Sequence, residues 1–310
     1  GAKSLDLAGR TILPGLIDAH VHLTLAGDPA SNALATLRAG FTTVVDLGSA
    51  GGAGITLRDR IARGAAPGPT VIAAGSWIGA KGGVCEFGGA TVTGAEEARS
   101  RALSDLEAGA DLLKVCVTGW PVDAVAAPDS VELGPGPLSA VLESARAAGR
   151  PVYAHAIGRA GALLAAERGV RALAHTPIVD SVAATLLRRT GVVVISTLAT
   201  LGSRPGGDAV RRSFRGLRAA GIPIVLGTDA GVLPHGRNAD ELLALVETGL
   251  TPAEAIKAAT VEAAALIGRE DLGKIAVGAA ADLLVVEGDP LQDPRLLTQP
   301  ALVLKAGRQP

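Results

Sequence analysis

Three observations predict an α/β chain folded as a TIM (β/α)8 barrel: eight short apolar segments alternating with helix-like stretches, glycine stops placed just ahead of strands, and a core almost without aromatics. The segments end at His22, at Asp46 in Thr-Thr-Val-Val-Asp46, at Gly75, near Lys114-Val-Cys116, and at His155, His175, Thr197 and Asp229. Regular strand–helix alternation implies right-handed crossovers and a parallel sheet, and eight units over roughly 250 residues suit a closed barrel better than an open sheet. Hydrophobic residues make up 48% of the 310-residue chain but aromatics only 2%, so Ala, Val, Leu and Ile must fill the inner layers.

The intervening helices are expected over Gly94–Ala108, Ser139–Ala148, Ala160–Arg168, Val182–Thr190 and Ala209–Ala220. Gly40, Gly109, Gly149 and Gly221 each follow a helical stretch and precede a strand, which puts four turns on the N-terminal face of the barrel. After Gly268 the helices stop. Gly278–Pro290 and Ala301–Gly307 read as strands, and Ser4–Leu13 is expected to pair with them. Residues 15–268 are therefore assigned to the barrel, and residues 1–14 with 269–310 to a small β-sandwich subdomain built from both chain ends, with further residues expected upstream of Gly1.

A net charge of −1 points to neither a nucleic-acid nor an anionic-membrane partner. No apolar run approaches the length of about 18 residues that spans a bilayer, and no apolar leader opens the chain. The expectation is a cytoplasmic protein, open to homo-oligomerisation, with Cys85 and Cys116 as two free thiols.

Four of the five histidines stand where a metal site needs them. His20 and His22 close the first strand as His-x-His, whose side chains share one face because the strand period is two. His155 and His175 end later strands and would meet the first pair at the C-terminal rim, where barrel enzymes carry their chemistry. Asp229 is either a turn or capping residue or a rim carboxylate that ligates a metal and accepts a proton from attacking water. Lys114 sits in an otherwise apolar strand; it is either a snorkelling strand-end lysine or one with a lowered pKa that reacts with carbon dioxide to give a metal-bridging carbamate.

His20-Val-His22 after Leu13-Pro-Gly-Leu-Ile-Asp18, with Lys114, His155, His175 and Asp229, resembles the binuclear (subtype I) amidohydrolase superfamily, nearest its prolidase-like and zinc carboxypeptidase-like branch. Gly227-Thr-Asp-Ala-Gly231, Pro234-His-Gly-Arg-Asn-Ala239, Leu250–Ile256 and Gly273–Val286 carry the same likeness, which runs nearly end to end. The resemblance implies two divalent metals, usually zinc: His20, His22 and Asp229 on one, His155 and His175 on the other, and N6-carboxylated Lys114 bridging them. It further implies amide hydrolysis by a metal-bridged hydroxide, with Asp229 as proton shuttle, on a dipeptide, an N-acyl amino acid or a peptide C-terminus. Two departures stand out. The family's opening β-sandwich segment of about fifty residues is absent, and Val84 replaces a histidine in the stretch that relatives write Gly-Gly-His, which removes a polar substrate contact.

Substrate contacts are expected from His235, Arg237, Tyr153 and Val84. His235 has a loop-capping role as its alternative, and Asn238 is either a substrate anchor or the cap of the helix starting near Ala239. Tyr153 lies two residues before His155 on the same strand face. Cys116 shares the face of Lys114, but no spare histidine remains to make it a nucleophile. A mononuclear deaminase or cyclic-amide hydrolase of the same fold is the competing reading. It needs a glutamate beside the fifth or sixth strand, and the nearest, Glu167, lies on a helix. A non-catalytic scaffold relative would be expected to have lost ligands, and all six are present.

Overall fold

The computed structural model describes residues 5–120, 130–204 and 206–310. Twelve strands occur among them. In chain order they are β1 (Arg10–Pro14), β2 (Leu16–Val21), β3 (Phe41–Asp46), β4 (Thr70–Ala80), β5 (Thr91–Val92) and β6 (Leu112–Cys116). They continue with β7 (Val152–His155), β8 (Ala172–Ala174), β9 (Val193–Ile195), β10 (Ile224–Val225), β11 (Leu283–Glu287) and β12 (Leu302–Leu304).

Eight of these form one parallel sheet in the order β2-β3-β4-β6-β7-β8-β9-β10, with β5 added to the far end of β4. The ring closes through backbone bonds between β2 and the chain after β10: Ala19 N donates to Leu226 O (3.0 Å), Asp229 N to His20 O (2.8 Å) and His22 N to Ala230 O (2.6 Å). The result is the predicted (β/α)8 barrel. The helices fall at Ala95–Glu107, Pro135–Ala147, Arg159–Arg168, Ser181–Thr190 and Gly207–Ala219, within a few residues of the expected spans. Gly40, Gly109, Gly149 and Gly221 all take left-handed φ, as glycine C-caps do. Among the described residues no helix is long and apolar enough to cross a membrane.

Small residues dominate the inner layer, as an aromatic-poor composition requires. Ile17, Ala19, Val45, Leu47, Ala74, Leu112, Tyr153, Ala172, Ala174, Val193, Ile195 and Val225 pack together inside the ring. Their strand neighbours Val44, Leu113, Val115, Leu173 and Val194 pack outward in the larger cluster formed with the helices. β1, β11 and β12 form a separate antiparallel sheet that joins both chain ends, with Arg10–Pro14 paired to Leu283–Glu287.

Three local expectations are corrected. The third barrel strand does not stop at Gly75 but runs on to Ala80, through an irregularity between Ala74 and Trp77. The eighth is only Ile224–Val225, so Asp229 belongs to the loop that closes the ring rather than to a strand. Cys85 and Cys116 are not free thiols. They form a disulfide with a Cα–Cα distance of 6.3 Å, because the chain after β4 folds back over the end of β6, the strand paired to β4.

Candidate metal centre and active site

Two backbone irregularities aim the histidines. On β2, Ile17 and Ala19 already occupy the barrel interior, so strict alternation would turn His20 and His22 outward. The β2–β3 ladder shifts register between Asp18 and Val21, and a bulge of this kind re-aims the side chains that follow it. On β8, Ala172 and Ala174 face inward, which would leave His175 outside. A left-handed φ of 82° at His175 turns the imidazole back over the barrel mouth. His155 needs no such device, since it follows Tyr153 with period two.

The site residues converge. His20 Nε2 and His22 Nε2 are 3.2 Å apart, and each lies 3.3–3.4 Å from Asp229 Oδ1. The ring of His175 is 4.8 Å from that of His20 and 4.6 Å from that of His155, centroid to centroid. Lys114 shares their cavity, 2% exposed, and its Nζ has no hydrogen-bond partner. Asp229 Oδ2 is likewise unpartnered.

Burial sets the protonation of the cluster. It holds His20 and His175 well below the ordinary histidine range, with Lys114 and the neighbouring imidazoles reinforcing the effect. It lowers His155 to about 3 and Lys114 to about 7, the latter opposed by the charge of Asp229. Imidazole lone pairs and a carboxylate oxygen gathered within 4.8 Å of one another repel unless a cation lies among them. His20, His22 and Asp229 therefore fit a divalent metal, with nitrogen and oxygen donors that suit zinc. His175 Nδ1 contacts Thr197 Oγ1 at 3.0 Å, which leaves Nε2 available; His155 Nε2 contacts Gly119 O at 3.3 Å, which leaves Nδ1.

A buried polar frame, not anticipated from the sequence, positions these groups. Asp18 accepts from His20 N, Thr228 N, Thr228 Oγ1 and Asn238 Nδ2 at 2.7–3.1 Å, tying β2 to the Thr228–Asp229 loop. Desolvation raises its pKa to about 6 against those bonds. Glu241 accepts from Ser196 Oγ and from Leu198 N and Ala199 N, clamping the loop that carries Thr197 behind His175. Gly227 permits the closure: a Cβ there would lie 2.2 Å from Ile195 Cγ2 and 2.8 Å from His20 Cβ. The available signal was a carboxylate set inside the apolar run Gly15-Leu-Ile-Asp18, an expensive residue to bury without a task.

The expected substrate contacts fare differently. Val84 lines the cavity, and so does Cys116. Tyr153 points inward but sits in the packed interior below the cavity, among residues that open toward the N-terminal face. Arg237 is exposed and pairs with Asp240 at 2.5 Å. His235 lies behind the site rather than in it, with Nδ1 3.0 Å from Thr36 Oγ1 and Nε2 3.3 Å from the carbonyl of His22. Asn238 binds Asp18 instead of capping the helix, whose N-cap is Ala239.

Above the ligands opens a cavity of about 500 Å³, walled chiefly by Leu25, Trp77, Val84, Phe87, Trp120 and Val232. Trp77 contacts His22, while Trp120 stacks on His155 and meets His175 edge-on.

A candidate histidine-rich metal site at the C-terminal mouth of a (β/α)8 barrel is the arrangement on which metal-dependent barrel enzymes are built. The chain belongs to the Amidohydrolase family, whose model matches residues 11–309. It is 30% identical over 230 residues to ochratoxinase of Aspergillus niger, an alignment covering 68% of this chain and 48% of the relative, so the chain spans about half the length of that protein. It is also 30% identical to imidazolonepropionase of Anaeromyxobacter sp. (strain K), over 92% of this chain and 77% of the relative. Among solved structures, a Xaa-Pro dipeptidase with methionine bound in its active site superposes with a TM-score of 0.90 at 29% identity, covering 100% of this chain and 90% of that one. The A. niger ochratoxinase structure superposes with a TM-score of 0.85 at 26% identity, covering 96% and 82%.

Proposed function

We propose that this chain hydrolyses the amide bond that releases a C-terminal or N-acylated amino acid, from a dipeptide, an N-acyl amino acid or a peptide end, using two divalent metals. One observation carries the reading: His22, His155, His175, Asp229 and an unpartnered Lys114 line the floor of a single apolar cavity, with His20 grouped against His22 and Asp229 beneath it. His20, His22 and Asp229 would hold one metal and His155 and His175 the other. Lys114, as an amine near pH 7, is suited to carboxylation and so to bridging them. When bound, such metals polarise the amide carbonyl and lower the pKa of water. Asp229, whose Oδ2 is unpartnered, would take the proton of the attacking water and pass it to the departing nitrogen. Trp77, Phe87 and Trp120 exclude solvent from the amide and seat an apolar side chain. The names of the dipeptidase and ochratoxinase neighbours support amide chemistry. The deaminase reading lacks a glutamate among the cavity-lining residues described.

Metal analysis of purified protein, paired with a screen of dipeptides and N-acyl amino acids, tests this. Two equivalents of divalent metal per chain are expected, together with hydrolysis that a chelator abolishes and zinc restores. Lys114→Ala should lose one or both metals and about 10²–10³-fold in activity, partly recovered by added short carboxylic acids. Folded, metal-saturated Lys114→Ala with full activity would remove the bridging role. Release of ammonia from aminated heterocycles, without amide hydrolysis, would favour the deaminase.

A further inference from the structure

The cavity has two unlike sides. Beside His22, Trp77 packs against Phe87 with ring centroids 5.1 Å apart, an apolar seat with no charge of its own. Beside His155 and His175 stands Trp120, and on its ring, 5.4 Å from the centroid, lies the guanidinium of Arg204. Arg204 lines the same cavity, and apart from Lys114 it is the cation among the described lining residues. No carboxylate among the described residues pairs with it. An arginine over an indole ring can keep N–H groups free for a planar anion, and a carboxylate is the partner they match. Polar groups placed singly in apolar cavities set ligand orientation.

We infer that Arg204, seated on Trp120, is the anchor for the free α-carboxylate of the amino acid that is released. This rests on the amide-hydrolase reading and narrows it. A carbonyl over the ligand cluster puts the carboxylate of the adjacent residue one step away, on the Trp120 side, while the acyl group fills the seat of Trp77 and Phe87. Terminal amides next to a carboxylate are then substrates, and internal or carboxamide-blocked ones are not.

The experiment compares an N-acyl amino acid having an aromatic acyl group with its carboxamide, on zinc-loaded wild-type enzyme and on Arg204→Gln and Arg204→Lys, each checked for native melting. Wild type should favour the acid by about 100-fold in kcat/KM, mostly through KM, the worth of a charge-assisted bidentate pair. Arg204→Gln should bring the two substrates within about threefold of each other, and Arg204→Lys should keep part of the preference. Equal use of acid and carboxamide by wild type, or an equal fall on both in Arg204→Gln, overturns the assignment. Hydrolysis of neither substrate by metal-loaded wild type overturns the amide-hydrolase reading and the assignment with it.

Discussion

At the N-terminal end of the barrel the left-handed turns belong to glycine: Gly40 at φ 95°, Gly109 at 92°, Gly149 at 64° and Gly221 at 75°. At the C-terminal end the same backbone region is occupied by His175 at 82°, Thr197 at 54° and Asp229 at 60°. Each non-glycine there costs on the order of 1 kcal/mol or more. The base uses the residue the geometry prefers, whereas the mouth forces the geometry on residues the chemistry prefers. The mouth holds this conformation through the bonds of Asp18 and Glu241 and through Asp229 N on His20 O. Strain at one end and its absence at the other set the two faces of the barrel apart.

The largest effect that would test this contrast is at Asp229. Asparagine also tolerates left-handed φ, so Asp229→Asn should keep the turn while reducing kcat/KM by about 10³-fold or more. The melting temperature of the metal-free variant should match or exceed that of metal-free wild type, because a buried oxygen without a partner is replaced. A variant that keeps its activity would show that the strained carboxylate is not what the mouth is built around.

Asp46 offers the next effect. It ends β3 on the same rim, fully buried, with no side-chain partner, and burial, opposed only by the Leu23 backbone, pushes its pKa up to about 8. Its folded-state pKa lies above the unfolded value near 3.8, so the native state holds the extra proton between them. Its contribution to stability is therefore full at low pH, declines as pH rises from about 4 to about 8, and is flat beyond. Asp46→Asn should remove that slope and, at pH 9, stabilise the protein by on the order of a few kcal/mol in chemical denaturation, with little change at pH 4. Parallel pH profiles for variant and wild type would contradict it.

The smallest effect belongs to the base. Gly169 has φ 94°, and nothing lies within 4 Å of where a Cβ would stand. Gly169→Ala therefore isolates backbone strain. It should lower stability by about 1 kcal/mol, read as a shift in the denaturation midpoint, and leave kcat/KM of the folded enzyme as it was.

Much of this was legible because periodicity and punctuation are local. Strand-ending histidines, glycine stops and a lysine inside an apolar strand gave the barrel and the candidate ligands without any long-range information. What was not legible depends on closure. Tyr153 and His155 share a strand face, yet two residues along a strand is roughly 6–7 Å, enough to move from the open mouth to the packed layer beneath it. The bulge in β2 and the left-handed turn at His175 are invisible to a rule that counts by two. The Cys85–Cys116 bond follows from strand order, since β4 and β6 are neighbours, together with a loop that doubles back. Arg204 and Trp120 lie 84 residues apart on unrelated loops, and only the completed ring brings them together.

The carbonyl of His20 accepts from the amides of Thr228 and Asp229, so one peptide unit both seals the last gap in the ring and seats two candidate ligands. Folding and loading are thereby thermodynamically linked. Any cation held by His20, His22 and Asp229 would join the first strand of the barrel to the loop that closes it, and would stabilise the native state by up to RT ln(1 + [M]/Kd), less whatever the unfolded histidines bind. A cation bound there would act as a hoop for the barrel.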